Sequence, residues 1–305
     1  MVNRIGLNIH SGRINGDLDL LKQDLRAIEE AGFDAAEIPV HGVDAVVNGH
    51  LRAGRAKQVE AILDGFNLGY SVHAPDGLNL RDFQYPDVQR KVFVASIRFT
   101  AAIGAKTFVY HQGKLKTNGG DVTEEEAREI EIDALADLGN LAKSEGVTVC
   151  VENIHSSITY LVKLVESVGH ESVRVCYDVA HSYINSKKLG YDFLRSIQVA
   201  KPCIRHVHAN DNFGKGRPES APPYIEAMPL GIGDLHLPVG WGEIPYEEVF
   251  RAMAGYDGVY ILELHERFFE NGYSMLKDAL DGLKAVLEQS SAERGGSTDS
   301  RQTDG

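Results

Sequence analysis

Imidazole and carboxylate side chains follow short apolar runs at several points along this 305-residue chain. The segment GDLHLPVGWGEIP, residues 233–245, adds Asp234 and His236 in a stretch too rich in Pro and Gly to form a helix or a strand. Burying such groups without partners costs free energy. A bound divalent cation would be a partner for all of them, since carboxylates and imidazoles together suit Zn²⁺, Mn²⁺, Co²⁺ or Mg²⁺ and no cysteine is needed. The other segments of this kind are VHAPD, VYHQG, VENIH, YDVAH, HVHAN and LELHE.

The elements that would position these groups alternate along the chain. Eight apolar, β-branched runs are candidate strands, and the stretches 18–32 and 122–146 between them have helical periodicity. Near-continuous apolar strands are typical of a parallel sheet buried on both faces. The pattern therefore predicts an α/β protein, a single-domain (β/α)₈ TIM barrel. The candidate strands are residues 5–9, 35–40, 70–74, 106–111, 147–153, 173–178, 204–209 and 259–265.

In such a barrel the carboxyl ends of the strands meet at one mouth, where catalytic groups lie. Six successive strand ends, from the third strand to the eighth, would bring their polar side chains to one cavity. Because His206 and His208 alternate along one strand, we expect only one of them to face the interior. We expect His155 and His265 to support the site or to lie at the surface, and no role is assigned to His10 or His41.

Composition limits the class of protein. The net charge of −13 argues against binding to nucleic acid, which usually requires a basic face. Cys150, Cys176 and Cys203 form no CxxC pair, and we expect buried, reduced thiols. No signal peptide and no run of 18 apolar residues is present, so we expect a cytoplasmic protein without a membrane segment. The barrel is predicted over residues 1–289, and the polar residues 290–305 are predicted to be a disordered tail.

The motifs resemble those of the xylose isomerase-like TIM barrel superfamily, which includes sugar isomerases and epimerases, inosose dehydratases and the endonuclease IV branch. The resemblance covers nearly the whole chain, and its most specific pieces are HAP, VENIH, YDVAH, HVHANDN, the DxH of residues 234–236 and LELHE. Resemblance to the sugar epimerases implies one divalent ion held by Glu152, Asp178, His208 and Glu263. Resemblance to endonuclease IV implies two or three zinc ions, with His73, His111, His181, Asp234 and His236 as additional ligands.

Two reactions are therefore expected as alternatives. In the first, a metal-dependent sugar, sugar phosphate or cyclitol isomerase or epimerase acts through a metal-stabilised enediolate. Glu152 and Glu263 exchange the proton, and His181 contacts substrate oxygens. In the second, a multi-zinc phosphodiesterase or phosphoesterase uses three ions, whose charge exceeds that of the four carboxylates by two and would attract a phosphate. We expect the first reaction, because the loops lack the basic and aromatic clusters that bind a duplex.

Several residues near the predicted mouth are candidates for contact with a small carbohydrate-like substrate. The long loop 212–233 is expected to act as a lid over the mouth. A homodimer or homotetramer is expected, as in many barrels of this class. The candidate substrate-binding residues are His73, His111, Lys114, Arg217 and Trp241.

Overall fold

The computed structural model describes residues 4–117, 122–218 and 222–296. Eight parallel strands close into a barrel in the order β1, β8, β7, β6, β5, β4, β3, β2 and back to β1. The predicted fold class is therefore confirmed. The strands are β1 Arg4–Asn8, β2 Ala35–Pro39, β3 Gly69–His73, β4 Thr107–His111, β5 Thr148–Glu152, β6 Val173–Asp178, β7 Ile204–Ala209 and β8 Val259–Leu262.

Helices surround the barrel, and their ends have the capping residues that the sequence supplies. Helix α2 begins after Asp17, which accepts the N–H groups of Asp19 and Leu20, and ends at Gly32 with a φ of 93°. Helix α5 begins with a capping box between Thr123 and Glu126. The helices are α1 Ser11–Ile14, α2 Leu18–Ala31, α3 Ala53–Leu63, α4 Pro86–Ala102, α5 Glu124–Ser144, α6 Ile158–Val168, α7 Val179–Leu189, α8 Phe193–Ala200, α9 Tyr224–Leu230, α10 Tyr246–Ala252 and α11 Ser274–Gly296.

The hydrophobic core lies mainly between the strands and the helices. Outward-facing strand residues such as Leu7, Ile38 and Tyr110 are fully buried there. A second, small apolar cluster of Val109, Cys150 and Cys176 lies apart from that core. Each of these three residues lies two positions before the polar residue that ends its strand. Residues two apart on a strand point to the same face, so the cluster and these polar residues all point into the barrel.

Three details differ from the sequence-based expectations. Helix α11 continues to Gly296, so residues 290–296 are helical rather than disordered, and residues 297–305 lie outside the described residues. Cys203 is only partly buried, because it lies in the short 3₁₀ helix Lys201–Cys203 before β7, whereas Cys150 and Cys176 are buried. A short hairpin, Val46–Val47 with His50–Leu51, follows β2 and was not predicted. No described helix is both long and apolar enough to span a membrane.

Candidate functional site

The carboxyl ends of the strands open into a cavity of about 360 Å³. This volume is within the range of small-molecule sites, roughly 300–1,000 Å³. Five carboxylate residues and seven histidines line it, and no Lys or Arg of the described part of the chain does. The cavity is lined by Asn8, Ile9, His10, Ser11, Glu37, Pro39, His41, His73, Asp76, His111, Glu152, Ile154, His181, Asp234, His236, Glu263, Leu264 and His265.

Four residues from consecutive strands come together here: Glu152 and Glu263 line the cavity, and Asp178 and His208 are fully buried beside them. Glu152 ends β5, Asp178 ends β6, His208 lies near the end of β7 and Glu263 follows β8. One ligand atom of each lies within 4.8 Å of those of the other three. We call these four residues the tetrad, and their spacing allows all four to contact one divalent ion.

Glu152 also joins the tetrad to two histidines on one side of the cavity. The Nε2 atoms of His73 and His111 each lie 3.4 Å from Oε2 of Glu152 and 3.2 Å from each other. Nδ1 of His73 lies 2.7 Å from the carbonyl oxygen of Ala74. A proton on Nδ1, donated to that carbonyl, leaves Nε2 of His73 free to bind a cation.

A third cluster, the loop triad, consists of His181, Asp234 and His236. Oδ2 of Asp234 lies 2.7 Å from Nε2 of His181 and 2.9 Å from Nε2 of His236. Nδ1 of His181 lies 3.4 Å from Oε1 of Glu152, so the loop triad adjoins the tetrad. The three clusters together contain all nine ligand positions that the sequence suggested.

The segment 233–245 is held in place by Asp211, which follows β7. Oδ1 of Asp211 accepts the N–H groups of Asn212 and Ile244, and its Oδ2 accepts that of Gly240. The backbones of Asp211 and Leu237 also pair as an antiparallel bridge. These bonds replace the regular structure that Pro and Gly prevent, and they fix the loop that carries Asp234 and His236.

The proximity of the groups shifts their pKa values strongly. Burial raises the pKa of Asp178 to about 7. Burial would also raise the pKa of Glu152, but the imidazoles of His208 and His111 hold it well below its usual range. For His73, burial opposes protonation, yet the carboxylates of Glu152 and Glu37 raise its pKa to about 9. Likewise, Asp234 outweighs the effect of burial and raises the pKa of His236 to about 10.

Several buried atoms of these clusters have no hydrogen-bond partner among the described residues. They include both carboxylate oxygens of Glu152, Nδ1 of His208 and Oε2 of Glu263. Leaving such atoms unpaired is costly. A divalent ion at the tetrad would give them a partner, and the donor set of three carboxylates and one imidazole suits such an ion. The residues present therefore fit a metal.

The expectation that only one of His206 and His208 faces the barrel interior is wrong. His206 and His208 are both fully buried, and the Nε2 atom of each contacts the carboxylate of Glu37 on β2, at 2.8 and 2.9 Å. Side chains alternate between the faces of a strand, so residues two apart share a face, and both histidines point into the barrel. Glu37 itself was not recognised from the sequence, although a glutamate inside the apolar run AAEIP was a usable signal.

Three of the candidate substrate contacts lie away from the main cavity. Lys114 is exposed and lines a separate groove beside His111, together with the exposed His155. Arg217 is exposed, and its side chain packs near Gly233. Trp241 is about half exposed and packs edge-on against Phe268, with the ring centroids 5.8 Å apart. By contrast His10, His41 and His265 line the cavity, and burial lowers the pKa of each.

The loop 212–233 reaches the edge of the cavity through α9. The ring of Tyr224 stacks on that of His265 with the centroids 3.6 Å apart, and its hydroxyl donates to the carbonyl of Leu235. No described residue of this loop lines the cavity itself, and residues 219–221 lie outside the described part. Movement of the loop as a lid stays a prediction.

Comparison with solved structures finds the same architecture. A D-tagatose 3-epimerase-like protein matches with a TM-score of 0.72 at 19% identity, over 95% of this chain and 99% of that protein. D-Psicose 3-epimerase from Clostridium cellulolyticum H10, solved with D-tagatose, matches with a TM-score of 0.69 at 16% identity, over 93% and 99%. The IolI protein with a bound zinc atom matches with a TM-score of 0.68 at 17% identity, over 95% and 98%. No curated protein matches the sequence.

These identities are low, so the structural matches show a shared fold. A family model described as xylose isomerase-like TIM barrel matches residues 25–286 of the sequence. That range includes the tetrad, the two histidines beside it and the loop triad. The chain belongs to the xylose isomerase-like TIM barrel family.

Proposed function

We propose that this protein is a divalent-metal-dependent isomerase or epimerase of a small sugar or cyclitol. The observation that carries the proposal is the tetrad, two of whose members, Glu152 and Glu263, line a cavity of small-molecule size. A divalent ion held by Glu152, Asp178, His208 and Glu263 would supply Lewis acidity toward a substrate carbonyl and its neighbouring hydroxyl. The solved structures with this fold include a ketohexose epimerase with its sugar, which supports the same substrate class.

Glu152 and Glu263 are the proposed acid and base. They extend from β5 and from the end of β8, which two other strands separate in the barrel, so their carboxylates approach the cavity from different directions. One carboxylate would remove a carbon-bound proton, and the other would return a proton to the carbon. The side chain of Glu152 is almost fully buried, and that of Glu263 is 15% exposed to the cavity.

The charge of the cavity favours an uncharged substrate. Its described lining contains five carboxylates and no Lys or Arg. His10 and His41 have lowered pKa values, so they are neutral at pH 7 and can exchange hydrogen bonds with hydroxyl groups. His181, which we expected to contact substrate oxygens, is engaged with Asp234, so we assign it to the loop triad.

The direct test is exchange of a carbon-bound proton. The protein, loaded with Mn²⁺, is incubated in D₂O with a panel of ketoses and keto-cyclitols, and deuterium at the carbon beside the carbonyl is followed by NMR. Exchange is expected for at least one substrate, and Glu152→Gln and Glu263→Gln should each lower its rate by about 10²–10⁴-fold. Glu125→Gln on α5, whose side chain is 74% exposed, is the matched control.

Metal content is measured for each variant, so that loss of the ion is separated from loss of the proton acceptor. Unchanged exchange in both glutamine variants would contradict the proposed acid–base pair. Absence of exchange with every compound of the panel, in protein that holds its ion, would contradict the isomerase proposal.

A second candidate function, metal-dependent phosphoester hydrolysis, is favoured by the clusters next to the tetrad. The loop triad and the pair His73 and His111 have the donor atoms and the proximity for further ions. Glu37, which the charge count from the sequence omitted, adds a carboxylate and reduces the positive excess of a three-ion site. That reduction weakens the attraction for a phosphate and places hydrolysis second.

The variant His236→Asn distinguishes the two functions. His236 has a φ of 45°, a conformation that Asn tolerates, so the backbone should be retained. A one-ion isomerase should keep its metal content after the change. A multi-zinc hydrolase should lose one zinc and most of its activity on bis(p-nitrophenyl) phosphate, and that result would move the assignment to hydrolysis.

A further inference from the structure

Glu37 is a buried carboxylate that the proposed acid–base chemistry does not use. It lies in the middle of β2 and is 1% exposed. Its Oε2 accepts a hydrogen bond from Oγ of Ser71 at 2.7 Å and lies 2.8 Å from Nε2 of His206. Its Oε1 lies 2.9 Å from Nε2 of His208. The contact with His208 crosses the barrel interior, because β2 and β7 are not neighbours in the sheet.

His208 therefore contacts carboxylates through both of its ring nitrogens. Nδ1 lies 3.3 Å from Oε1 of Glu152 and 3.6 Å from Oε2 of Glu263, on the side of the tetrad. Nε2 faces Glu37 on the opposite side. Nε2 of His208 and Oε1 of Glu37 are both buried, and neither forms a hydrogen bond of regular geometry with any described residue, so the 2.9 Å approach between them is an ion-pair contact. A small rotation of the His208 ring that directs an N–H at Nε2 to Oε1 of Glu37 would give both atoms a partner.

A proton held at Nε2 of His208 determines the state of its other ring nitrogen, Nδ1. A neutral imidazole carries one proton, and it binds a metal through the nitrogen that lacks it. A proton kept at Nε2 by Glu37 leaves the lone pair at Nδ1, directed toward Glu152 and Glu263. Carboxylates that accept the second N–H of a ligating histidine fix its tautomer and its ring orientation.

We propose that Glu37 is a positioning residue of the metal site: it fixes His208 with Nδ1 directed to the tetrad, and Ser71 and His206 hold Glu37 in turn. The inference rests on the proposed function only in requiring that the tetrad binds an ion. It assigns Glu37 no contact with substrate and no contact with the ion.

A direct ligand role for Glu37 is the alternative to be distinguished. Ligand atoms of Glu37, His73, His208 and Glu263 also lie within 4.8 Å of one another. However, Oε2 of Glu37 is already used by Ser71 and His206, and Oε1 faces a nitrogen that needs an acceptor. A ligand role would change the number of ions bound, whereas a positioning role changes their affinity.

The experiment is a titration of the ion-free full-length protein with Co²⁺, followed by absorption spectroscopy and calorimetry. Glu37→Gln should bind the same number of ions about 10–100-fold more weakly, with an altered cobalt spectrum. Ser71→Ala should weaken binding less, in the same direction, and should fold even if Glu37→Gln does not. Glu131→Gln is the matched control, since it removes another fully buried carboxylate, bonded to Arg81 and Tyr110 away from the tetrad.

The outcomes separate this inference from the proposed function. Weaker binding in Glu37→Gln or, where that variant does not fold, in Ser71→Ala, with Glu131→Gln at wild-type affinity, supports the positioning role. Wild-type affinity and spectrum in the folded Glu37 variant, or loss of one bound ion, overturn it while leaving the metal-dependent function in place. No cobalt binding by the wild-type protein overturns both.

Discussion

At the scale of single residues, Glu152 joins the parts of the site. Its Oε2 lies 3.4 Å from His73 and from His111, and its Oε1 lies 3.3 Å from His208. In the ion-free protein these imidazoles balance the charge of the buried carboxylates. Burial opposes protonation of His208, but Cys176 and the nearby carboxylates still raise its pKa well above the usual value. Protons and a divalent ion should therefore compete for the same groups.

We predict that metal binding releases protons and strengthens as the pH rises from 7 toward 9. The pKa of His208 is raised well above its usual value, and a ligating imidazole must be neutral. The pKa of His73 beside the tetrad, about 9, should fall when a cation binds nearby, since like charges disfavour the protonated form. Calorimetric titration with Mn²⁺ at pH 7, in two buffers of different ionisation enthalpy, measures the number of protons released. A heat of binding that does not depend on the buffer would contradict the prediction.

At the scale of elements, the strand ends and the segment 233–245 reach the site in different ways. The tetrad depends on neighbouring strands in register, for example Glu152 beside Cys176 and Asp178 beside His208. The segment 233–245 has no such ladder and depends on Asp211 and on close packing at Gly242. A Cβ at Gly242 would collide with the backbone oxygen of Asn212 and with Oδ1 of Asp211.

We predict that Gly242→Ala lowers the free energy of unfolding by about 1–3 kcal/mol, because backbone atoms and a buried carboxylate must move to admit the methyl group. The matched control is Gly54→Ala at the start of α3, where a Cβ meets no atom within 4 Å. This change should be neutral or stabilising by up to about 1 kcal/mol. Urea denaturation of both variants makes the comparison, and equal effects would count against the close packing described for the loop.

At the scale of the whole molecule, an ion at the tetrad would connect four consecutive strands, β5 to β8. These strands span residues 148–262 of the chain, and β8 pairs with β1 to close the barrel. A ligand that binds only the folded protein stabilises it by RT ln(1 + [L]/Kd), which is about 2.7 kcal/mol at a concentration 100 times Kd.

We predict that removal of the ion with a chelator lowers Tm and that added Mn²⁺ or Zn²⁺ restores it. For a chain of this size, each kcal/mol of free energy of unfolding that is lost lowers Tm by roughly 2–4 °C or less. A fall in Tm of several degrees is therefore expected. Differential scanning calorimetry with and without chelator measures the change. A Tm that is the same in metal-loaded and chelator-treated protein would argue against a metal that the folded barrel holds tightly.

Much of the fold could be predicted because its signals are local. The sequence predicted a strand at 106–111, and the structure has β4 at Thr107–His111; the helix predicted at 18–32 is α2, Leu18–Ala31. Apolar runs and capping residues act within a few positions, so they can be read without the tertiary structure. The tail boundary at residue 290 was misplaced because the polar residues that follow it continue α11 to Gly296.

The candidate site could be predicted in part, for a related reason. Parallel strands in a barrel bring their carboxyl ends together, so polar groups at six strand ends already indicated a cluster, and the tetrad is found there. Lys114, Arg217 and Trp241 could not be placed in this way, because they lie on loops whose course depends on packing. Their role in substrate binding stays a prediction.

The sequence by itself determined the order of the strands along the chain and the chemical type of the groups at their ends. The tertiary structure alone decided that Glu37 and His208, which are 171 positions apart, meet across the barrel interior. The physical reason is that periodicity sets the face on which a side chain lies, whereas closure of the sheet sets which residues from opposite strands share a level inside it.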